Sequence, residues 1–376
     1  MKNFKGYFVD DNSEDLTIFS ELLSEIDYSE SSLKVEGIRL IGESKLANNI
    51  VDSQPNILFL DFRLDDNLQA NNMNNDQGYK GGSLAQNIRE KITSGNNSIK
   101  DFPIVLVSAE NNIEHLYKPD RTAHDLFDSC YEKEYLNDRK NHNKLAKKII
   151  GLIKGYQTLN NMNAESLDFK QLFGNNLDDE TKSILDQQAI RSPLKSTNIP
   201  HIRAKFILKN ILRREGILLS RYEIAARLGA MPDSLDTVVF DRLEGFKYSG
   251  VFSEGWERWW ANSFDEFLAT LVGYRPFSLT SRERVEKING ILGCSLVPAV
   301  SQWTKTTDEK AVFACTLCRQ PTEIKNSLSV FDPSLLSFIQ KKRICNYCIK
   351  NGYETKDIEV DDHDKKFVKT IMEQDI

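Results

Sequence analysis

Short apolar runs alternate with amphipathic helical patterns through the first 156 residues of the chain. The apolar runs predict strands near residues 4–9, 33–40, 56–60, 103–107 and 127–131. Helical spacing predicts helices near residues 13–26, 43–52 and 82–93, in part of 111–126, and over 134–156. Buried strands that alternate with helices are typical of α/β proteins, so this part is expected to be a doubly wound parallel sheet of five strands.

The pattern changes after the last of these helices. Polar residues rich in Asn over 157–179 predict a linker, and mostly helical patterns broken by prolines follow over 180–300. The remaining residues, 301–376, carry four paired cysteines. We therefore expect an α/β domain over 1–156, a linker, a mainly helical output or interaction domain, and a small zinc-binding subdomain with four cysteine ligands.

Charged and hydroxyl side chains stand where the predicted strands end. Asp10 and Asp11 follow the first apolar run, Asp61 follows the third, Ser108 ends the fourth and Lys133 follows the fifth. The carboxyl ends of parallel strands form one edge of a sheet, where such folds bind ligands. Clustered carboxylates repel one another unless a cation balances them, and oxygen ligands of this kind suit Mg²⁺.

This ordered set of residues resembles the receiver domain of two-component response regulators over about residues 1–156. The resemblance implies a flavodoxin-like sheet with strand order 2-1-3-4-5. It also implies that a histidine kinase or a phosphotransfer protein donates a phosphoryl group to the domain. Beyond Mg²⁺-dependent self-phosphorylation and dephosphorylation, the resemblance implies no enzyme activity.

Roles for single residues follow from the same resemblance. Asp61 is expected to accept the phosphoryl group, and Ser108 and Lys133 to contact it. The expected magnesium ligands are Asp10, Asp11, Asp61 and the backbone carbonyl of Arg63. The family pattern changes after Asp61, where an Asn-rich insertion over residues 67–77 enlarges the loop. As an alternative, Asp10, Asp11 and Asn12 could simply cap the helix that begins near Ser13.

A segment in the helical part resembles the first helix and turn of a helix-turn-helix. It covers residues 220–234 and contains Leu228 and Gly229 at the predicted turn. The helix that would read DNA carries four acids, Asp233, Asp236, Asp241 and Glu244, and a single basic residue, Arg242. Acids facing phosphates are unfavourable, so we expect this segment to contact another protein and nucleic acid to be an unlikely partner.

Two Cys-x-x-Cys pairs give the strongest motif of the second half. Cys315 and Cys318 are followed by Cys345 and Cys348. Four thiolates at this spacing predict a structural Zn²⁺ site of the zinc-ribbon kind, with no open position for catalysis. Disulfides and a redox-active dithiol are the alternatives, and the lack of an export signal in the sequence disfavours the first.

Composition and charge limit the remaining possibilities. The formal net charge is −6, and the whole acidic excess belongs to residues 1–156. Neither part of the chain has the basic surplus typical of proteins that bind nucleic acid. No apolar run is long enough to cross a membrane, so a cytoplasmic protein without membrane contacts is expected.

Taken together, the sequence predicts a phosphoacceptor of a two-component or phosphorelay system that signals through protein contacts of its C-terminal region. Three alternatives remain open. The protein could be a phosphate sink in a two-component-like phage-defence system, a DNA-binding transcriptional regulator, or an enzyme whose site lies in residues 160–376.

Overall fold

The structure, a computed structural model, describes residues 2–67, 71, 78–95, 99–109, 126–352 and 358–374. Six strands form its main sheet: β1 (Lys2–Val9), β2 (Asp27–Tyr28), β3 (Ser31–Ile38), β4 (Ile57–Leu60), β5 (Ile104–Ser108) and β6 (Ser129–Glu132). Their order in the sheet is β2-β3-β1-β4-β5-β6. Strands β1, β3, β4, β5 and β6 pair in parallel, and β2 pairs antiparallel with β3.

The predicted fold class is confirmed by this sheet. Counted alone, the five parallel strands follow the order 2-1-3-4-5 that the resemblance implies. The sequence pattern does not predict strand β2, which adds a sixth, antiparallel strand at the edge. Its connection to β3 passes through Ser29 and Glu30, both at positive φ. Two-residue hairpin turns need such angles, and their sequences usually contain Asn or Gly at these positions. Neither residue type occurs at this turn, so the hairpin is hard to predict from the sequence.

Both faces of the sheet are buried. Phe8 packs on Phe19 of the first helix, with ring centroids 6.1 Å apart. The neighbouring residue Val9 points to the other face and joins a core that includes Leu60 and Leu106. Burying one such side chain stabilises the fold by roughly 1.5–3 kcal/mol, which explains the near-continuous apolar runs.

Within the described ranges, five α-helices accompany this sheet: α1 (Ser13–Ser24), α2 (Glu43–Ser53), α3 (Gly81–Ser94), α4 (Lys133–Asn137) and α5 (His142–Asn160). The prediction of one continuous helix over 134–156 is wrong, because the helix is interrupted at Asp138 and two helices, α4 and α5, cover this range. The Asp138 side chain accepts a hydrogen bond from the Lys140 backbone N–H at 3.1 Å and so starts a new turn. The helix predicted within 111–126 falls on residues outside the described ranges.

Charged side chains are buried near the opposite, amino-terminal ends of β5 and β6. Arg89 of α3 pairs with Asp101 at 2.6 Å and with Asp128 at 2.9 Å. The Tyr156 hydroxyl of α5 donates to Asp128 at 2.7 Å. A buried ion pair needs such additional hydrogen bonds to offset its desolvation, so this network fixes α3 and α5 on the sheet.

The helices after Asn160 are α6 (Phe169–Phe173), α7 (Asp179–Leu185), α8 (Gln188–Lys195), α9 (Pro200–Phe206), a π-helix (Ile207–Leu212), α10 (Arg221–Leu228), α11 (Thr237–Leu243), α12 (Ala261–Val272), α13 (Ser281–Leu292), α14 (Asn346–Lys350) and α15 (Lys365–Glu373). Two-stranded sheets join β7 (Leu218–Leu219) to β8 (Trp259–Trp260), β9 (Phe313–Ala314) to β10 (Pro321–Thr322), and β11 (Ser327–Ser329) to β12 (Arg343–Cys345).

Contacts between Cα atoms divide the chain into two compact units. Unit 1 consists of residues 1–168, 193–208 and 251–256, and unit 2 of residues 169–192, 209–250 and 257–376. These limits differ from the four-part division expected from composition, which stays a prediction.

The helix-turn-helix-like segment lies in unit 2. Ser220 caps α10 by accepting a hydrogen bond from the Glu223 N–H, and Gly229 ends the helix at φ 73°. A side chain at this left-handed position would be strained, and a Cβ there would lie 2.9 Å from Ser281 Cα. Asp236 then caps α11. Asp236, one of the acids that were expected to disfavour DNA binding, is therefore the N-cap of a helix.

None of the helices that the structure describes combines the length and the apolar composition of a membrane span.

Candidate functional site

Three of the predicted acids are buried at the carboxyl edge of the sheet. Asp10 and Asp11 follow β1 and are 2 % and 6 % exposed, and Asp61 follows β4 and is 4 % exposed. Strands β1 and β4 are paired neighbours, and the Asp61 N–H donates to the Val9 carbonyl at 2.9 Å. The parallel pairing therefore brings acids that are distant in sequence to one place.

Lys133 lies among these acids. It begins α4 directly after β6, and its Nζ donates to Asp10 Oδ2 at 2.8 Å. The same Nζ stands 3.4 Å from Asp61 Oδ1. The structure thus brings together Asp10, Asp61 and Lys133, as the sequence predicts.

Each of the three carboxylates also accepts a hydrogen bond from the backbone. The Asn12 N–H donates to Asp10 at 2.8 Å, the Arg63 N–H to Asp61 at 2.7 Å, and the Asn67 N–H to Asp11 at 2.6 Å. Charge-assisted bonds of this kind hold a buried carboxylate in one orientation. Asn67 belongs to the insertion, which therefore contacts the acidic pair.

The alternative role of the first acidic run, capping the helix, falls to Asn12 alone. Its side chain accepts hydrogen bonds from the Glu14 N–H at 2.9 Å and the Asp15 N–H at 3.3 Å. The Asp10 carboxylate instead contacts Lys133, and the Asp11 carboxylate accepts from the Asn67 N–H.

Burial governs the proton affinities of these acids. Loss of hydration, with repulsion from Asp10 added to it, raises the pKa of Asp61 to about 7, although Lys133 acts in the opposite direction. Burial likewise raises the pKa of Asp10 and of Asp11. Burial on its own would lower the pKa of Lys133, but Asp61 and Asp10 outweigh it and raise that pKa. The site therefore holds an ammonium ion among carboxyl groups that resist ionisation.

A fourth acid in this cluster is absent from the sequence-based expectations. Asp15, in the first turn of α1, accepts a hydrogen bond from Lys133 Nζ at 2.7 Å. Its position in the sequence could have indicated this contact, because a helix that begins directly after β1 places its first turn at the same edge of the sheet.

Ser108 and Arg63 also lie near the carboxyl ends of two neighbouring strands, β5 and β4. Ser108 is the last residue of β5, fully buried, and pairs in register with Glu132 of β6. Arg63 stands two residues after Asp61 and forms an isolated bridge with Lys80, which returns the enlarged loop to the site. Gly81 follows, and a Cβ there would lie 2.1 Å from the Asp61 carbonyl oxygen. Only glycine fits where α3 begins.

The carboxylate oxygens of the acidic cluster are ligands that suit Mg²⁺. They are grouped less closely than the four cysteine sulfurs. Lys133 and backbone N–H groups satisfy the carboxylates of Asp10, Asp11 and Asp61. Among the described residues, the metal-ligating groups found close together are the four thiols. A magnesium site at these aspartates therefore stays a prediction, as do the roles of Ser108 and of the Arg63 carbonyl.

The four cysteines in the C-terminal part form one cluster. The sulfur atoms of Cys315, Cys318, Cys345 and Cys348 all lie within 4.8 Å of one another. The Cys315 and Cys348 sulfurs are 3.8 Å apart, as are those of Cys318 and Cys345. Sulfurs bound to one tetrahedral zinc ion at about 2.3 Å stand roughly 3.8 Å apart, so the cluster fits Zn²⁺. All four thiols are free, so the disulfide alternative is wrong.

Local backbone turns position these thiols. After Cys318 the chain turns through Arg319 at φ 61°, and the Arg319 N–H donates to the Cys315 carbonyl at 2.9 Å. The second pair spans the end of β12 and the start of α14, and the Cys345 N–H donates to the Cys315 sulfur at 3.3 Å. Apolar residues of β11, β12 and α14 cover the cluster.

Comparison with protein-family models finds no match, and comparison with curated proteins finds none either. Among solved structures, the Salmonella typhimurium response regulator RcsB matches with 16 % identity and a TM-score of 0.25, over 54 % of this chain and 93 % of that one. A complex of RcsB with DNA matches with 15 % identity and a TM-score of 0.25, over 55 % and 98 %. A cysteine mutant of RitR matches with 9 % identity and a TM-score of 0.30, over 57 % and 94 %.

These three solved structures are response regulators, the class that the first part of the sequence resembles. At these identities and TM-scores the similarity assigns no role to any residue. Roles for single residues rest on the geometry of the acidic cluster.

Proposed function

We propose that this protein is a phosphoacceptor of a two-component or phosphorelay system, in which Asp61 receives a phosphoryl group from a histidine kinase or a phosphotransfer protein. The observation that carries the proposal is the placement of Lys133 among Asp10 and Asp61 at the carboxyl edge of the sheet. The ammonium ion lies 2.8 Å from Asp10 and 3.4 Å from Asp61. An acceptor carboxylate beside a cation is what phosphoryl transfer requires of a protein.

The reaction assigns a distinct task to each group. A carboxylate oxygen of Asp61 attacks phosphorus, the bond from phosphorus to the donor nitrogen or oxygen breaks, and the donor leaves with that electron pair. Lys133 then balances negative charge on the phosphoryl oxygens, and the Ser108 hydroxyl donates a hydrogen bond to one of them. The product is an aspartyl phosphate.

Asp10, Asp11, Asp61 and the Arg63 carbonyl are the residues that would hold Mg²⁺, which would supply further positive charge near the phosphoryl oxygens. The Arg63 N–H orients Asp61 through the second carboxylate oxygen. The first oxygen then faces Lys133. The two oxygens of the acceptor are thus distinguished before any donor arrives.

We propose that the output of the switch is contact with another protein in the cytoplasm, made through the helical and zinc-binding parts. The acids on and around α11 support a protein partner over nucleic acid. Retention on duplex DNA that weakens steeply with salt would instead favour the transcriptional regulator.

Incubation with a small acyl phosphate and Mg²⁺ is expected to add the mass of one phosphoryl group to the intact chain. The Asp61→Asn variant is expected to add none, because it lacks the acceptor oxygen. As a matched control, Asp52→Asn removes an equal charge from an exposed position on α2 and should label like wild type. Label on Asp61→Asn, or none on wild type with any donor, would exclude the proposed function.

A further inference from the structure

Lys133 is shared unequally among its acidic neighbours. An ammonium group has three N–H bonds. Two of them meet Asp10 at 2.8 Å and Asp15 at 2.7 Å, whereas Asp61 stands farther away at 3.4 Å. The cation assigned to the phosphoryl group is therefore held more closely by Asp15 than by the acceptor.

The position of Asp15 is fixed by its own surroundings. It lies in the first turn of α1, and its backbone N–H is held by the Asn12 side chain at 3.3 Å. Its side chain is 32 % exposed, while that of Asp10 is 1 % exposed. Asp15 therefore reaches Lys133 from the solvent side, and its replacement would leave the buried part of the cluster intact.

A phosphoryl group on Asp61 would compete with Asp15 for the same ammonium ion. The phosphoryl group carries additional negative charge. Its oxygens can contact Lys133 in two ways, either as further hydrogen-bond acceptors or by displacing a carboxylate that Lys133 contacts now. Removing the Asp15 charge weakens one of the two short contacts of the ammonium ion and also reduces repulsion of an incoming anion. Both effects favour binding of a phosphoryl-like anion.

We propose that Asp15 is a positioning residue that restrains Lys133 and thereby weakens the hold of the site on a phosphoryl group at Asp61. This inference rests on the proposed function and adds a means of setting the lifetime of the phosphorylated state. Asp15 acts through Lys133 and does not touch the reacting atoms.

The test compares Asp15→Asn with Glu14→Gln in the full-length protein. Both changes remove one negative charge from the first turn of α1, but Glu14 is exposed and, within the part of the chain that the structure describes, forms no ion pair with Lys133. The probe is beryllofluoride, a stable stand-in for the phosphoryl group, titrated at saturating Mg²⁺. Asp15→Asn is expected to bind it roughly threefold to tenfold more tightly than wild type, and Glu14→Gln less than about twofold.

A second measurement follows the contact itself without any phosphoryl group. Nitrogen NMR of lysine side chains should show the Lys133 ammonium protons protected from exchange in wild type and in Glu14→Gln. In Asp15→Asn they should exchange faster, because one charged acceptor is lost. A Lys133→Arg variant identifies the signal.

The outcomes separate the two claims. If wild type and Glu14→Gln bind beryllofluoride and Asp15→Asn binds it equally or more weakly, the restraint by Asp15 is wrong while the phosphoacceptor stands. If no variant binds it, the phosphoacceptor fails and the restraint on phosphoryl binding fails with it. Unchanged exchange of the Lys133 signal in Asp15→Asn would also overturn the restraint.

Discussion

Replacing Cys345 by Ser is expected to lower bound zinc from about one ion per chain to a small fraction and to unfold the surrounding part of the C-terminal region. Cys345 is 2 % exposed and is the last residue of β12, directly before α14. Its neighbours Leu328, Ile344 and Ile349 form a small core around the thiols. So few buried side chains cannot offset the entropy of ordering these short strands, and binding of a structural zinc ion typically contributes about 10–16 kcal/mol.

Metal analysis and hydrogen exchange would measure this effect. Amides of β11 and β12 should lose protection in Cys345→Ser and in wild type treated with a chelator. Cys130→Ser is the matched control, because Cys130 is an exposed thiol outside the cluster. Two results would contradict a structural zinc site. One is wild-type protein that contains no zinc but whose β11 and β12 amides stay fully protected from exchange; the other is a Cys345→Ser variant that retains the ion.

The Asp61→Asn variant is expected to be more stable than wild type above pH 7 when Mg²⁺ is absent. Asp61 is buried, and the pKa of its carboxyl group is raised to about 7 from 3.8. Ionisation in the folded state therefore works against folding. By proton linkage a shift of this size corresponds to an effect on the order of 2–4 kcal/mol, which an amide at the same position avoids.

The direction with pH follows from the raised pKa. Between about pH 4 and pH 7 the folded state keeps the Asp61 proton while the unfolded chain has lost it, so the Asp61 contribution to stability falls as the pH rises through this window. Below about pH 4 both states are protonated, and wild type and Asp61→Asn should differ little. Added Mg²⁺ is expected to stabilise wild type at about pH 8, since it binds the folded state, and to stabilise the variant much less.

Hydrogen exchange of the β1 and β4 amides at about pH 5 and about pH 8 would measure the difference, because it reports on this sheet separately from unit 2. The Asp52→Asn variant should follow wild type at both pH values. If Asp61→Asn is less stable than wild type at the higher pH without Mg²⁺, ionisation of the buried Asp61 carboxyl group does not destabilise the fold, and the prediction is wrong.

Apolar periodicity predicted the parallel sheet well, because β1, β4 and β5 are buried on both faces and tolerate few polar residues. It could not predict strand β2, whose two residues are too short to show a period. It also missed the break at Asp138, where the Asp138 side chain competes with the helix for the Lys140 N–H.

The candidate site was predictable where strand ends determine position. Asp10, Asp61 and Lys133 meet because parallel strands end at one edge. Asp15 was not predictable in the same way, because its contact with Lys133 depends on the direction in which α1 leaves β1. Likewise, the contact of Asn67 with Asp11 depends on the path of an insertion that carries no periodic pattern.

The most direct test of the central claim is to locate the phosphoryl group after reaction with an acyl phosphate and Mg²⁺. Borohydride reduces an aspartyl phosphate to homoserine, which peptide mass spectrometry can place in the sequence. The proposed function predicts homoserine in place of Asp61 and, in Lys133→Ala, a strongly reduced yield at that position. Homoserine at another aspartate, or at none while the chain still carries phosphate, would contradict it.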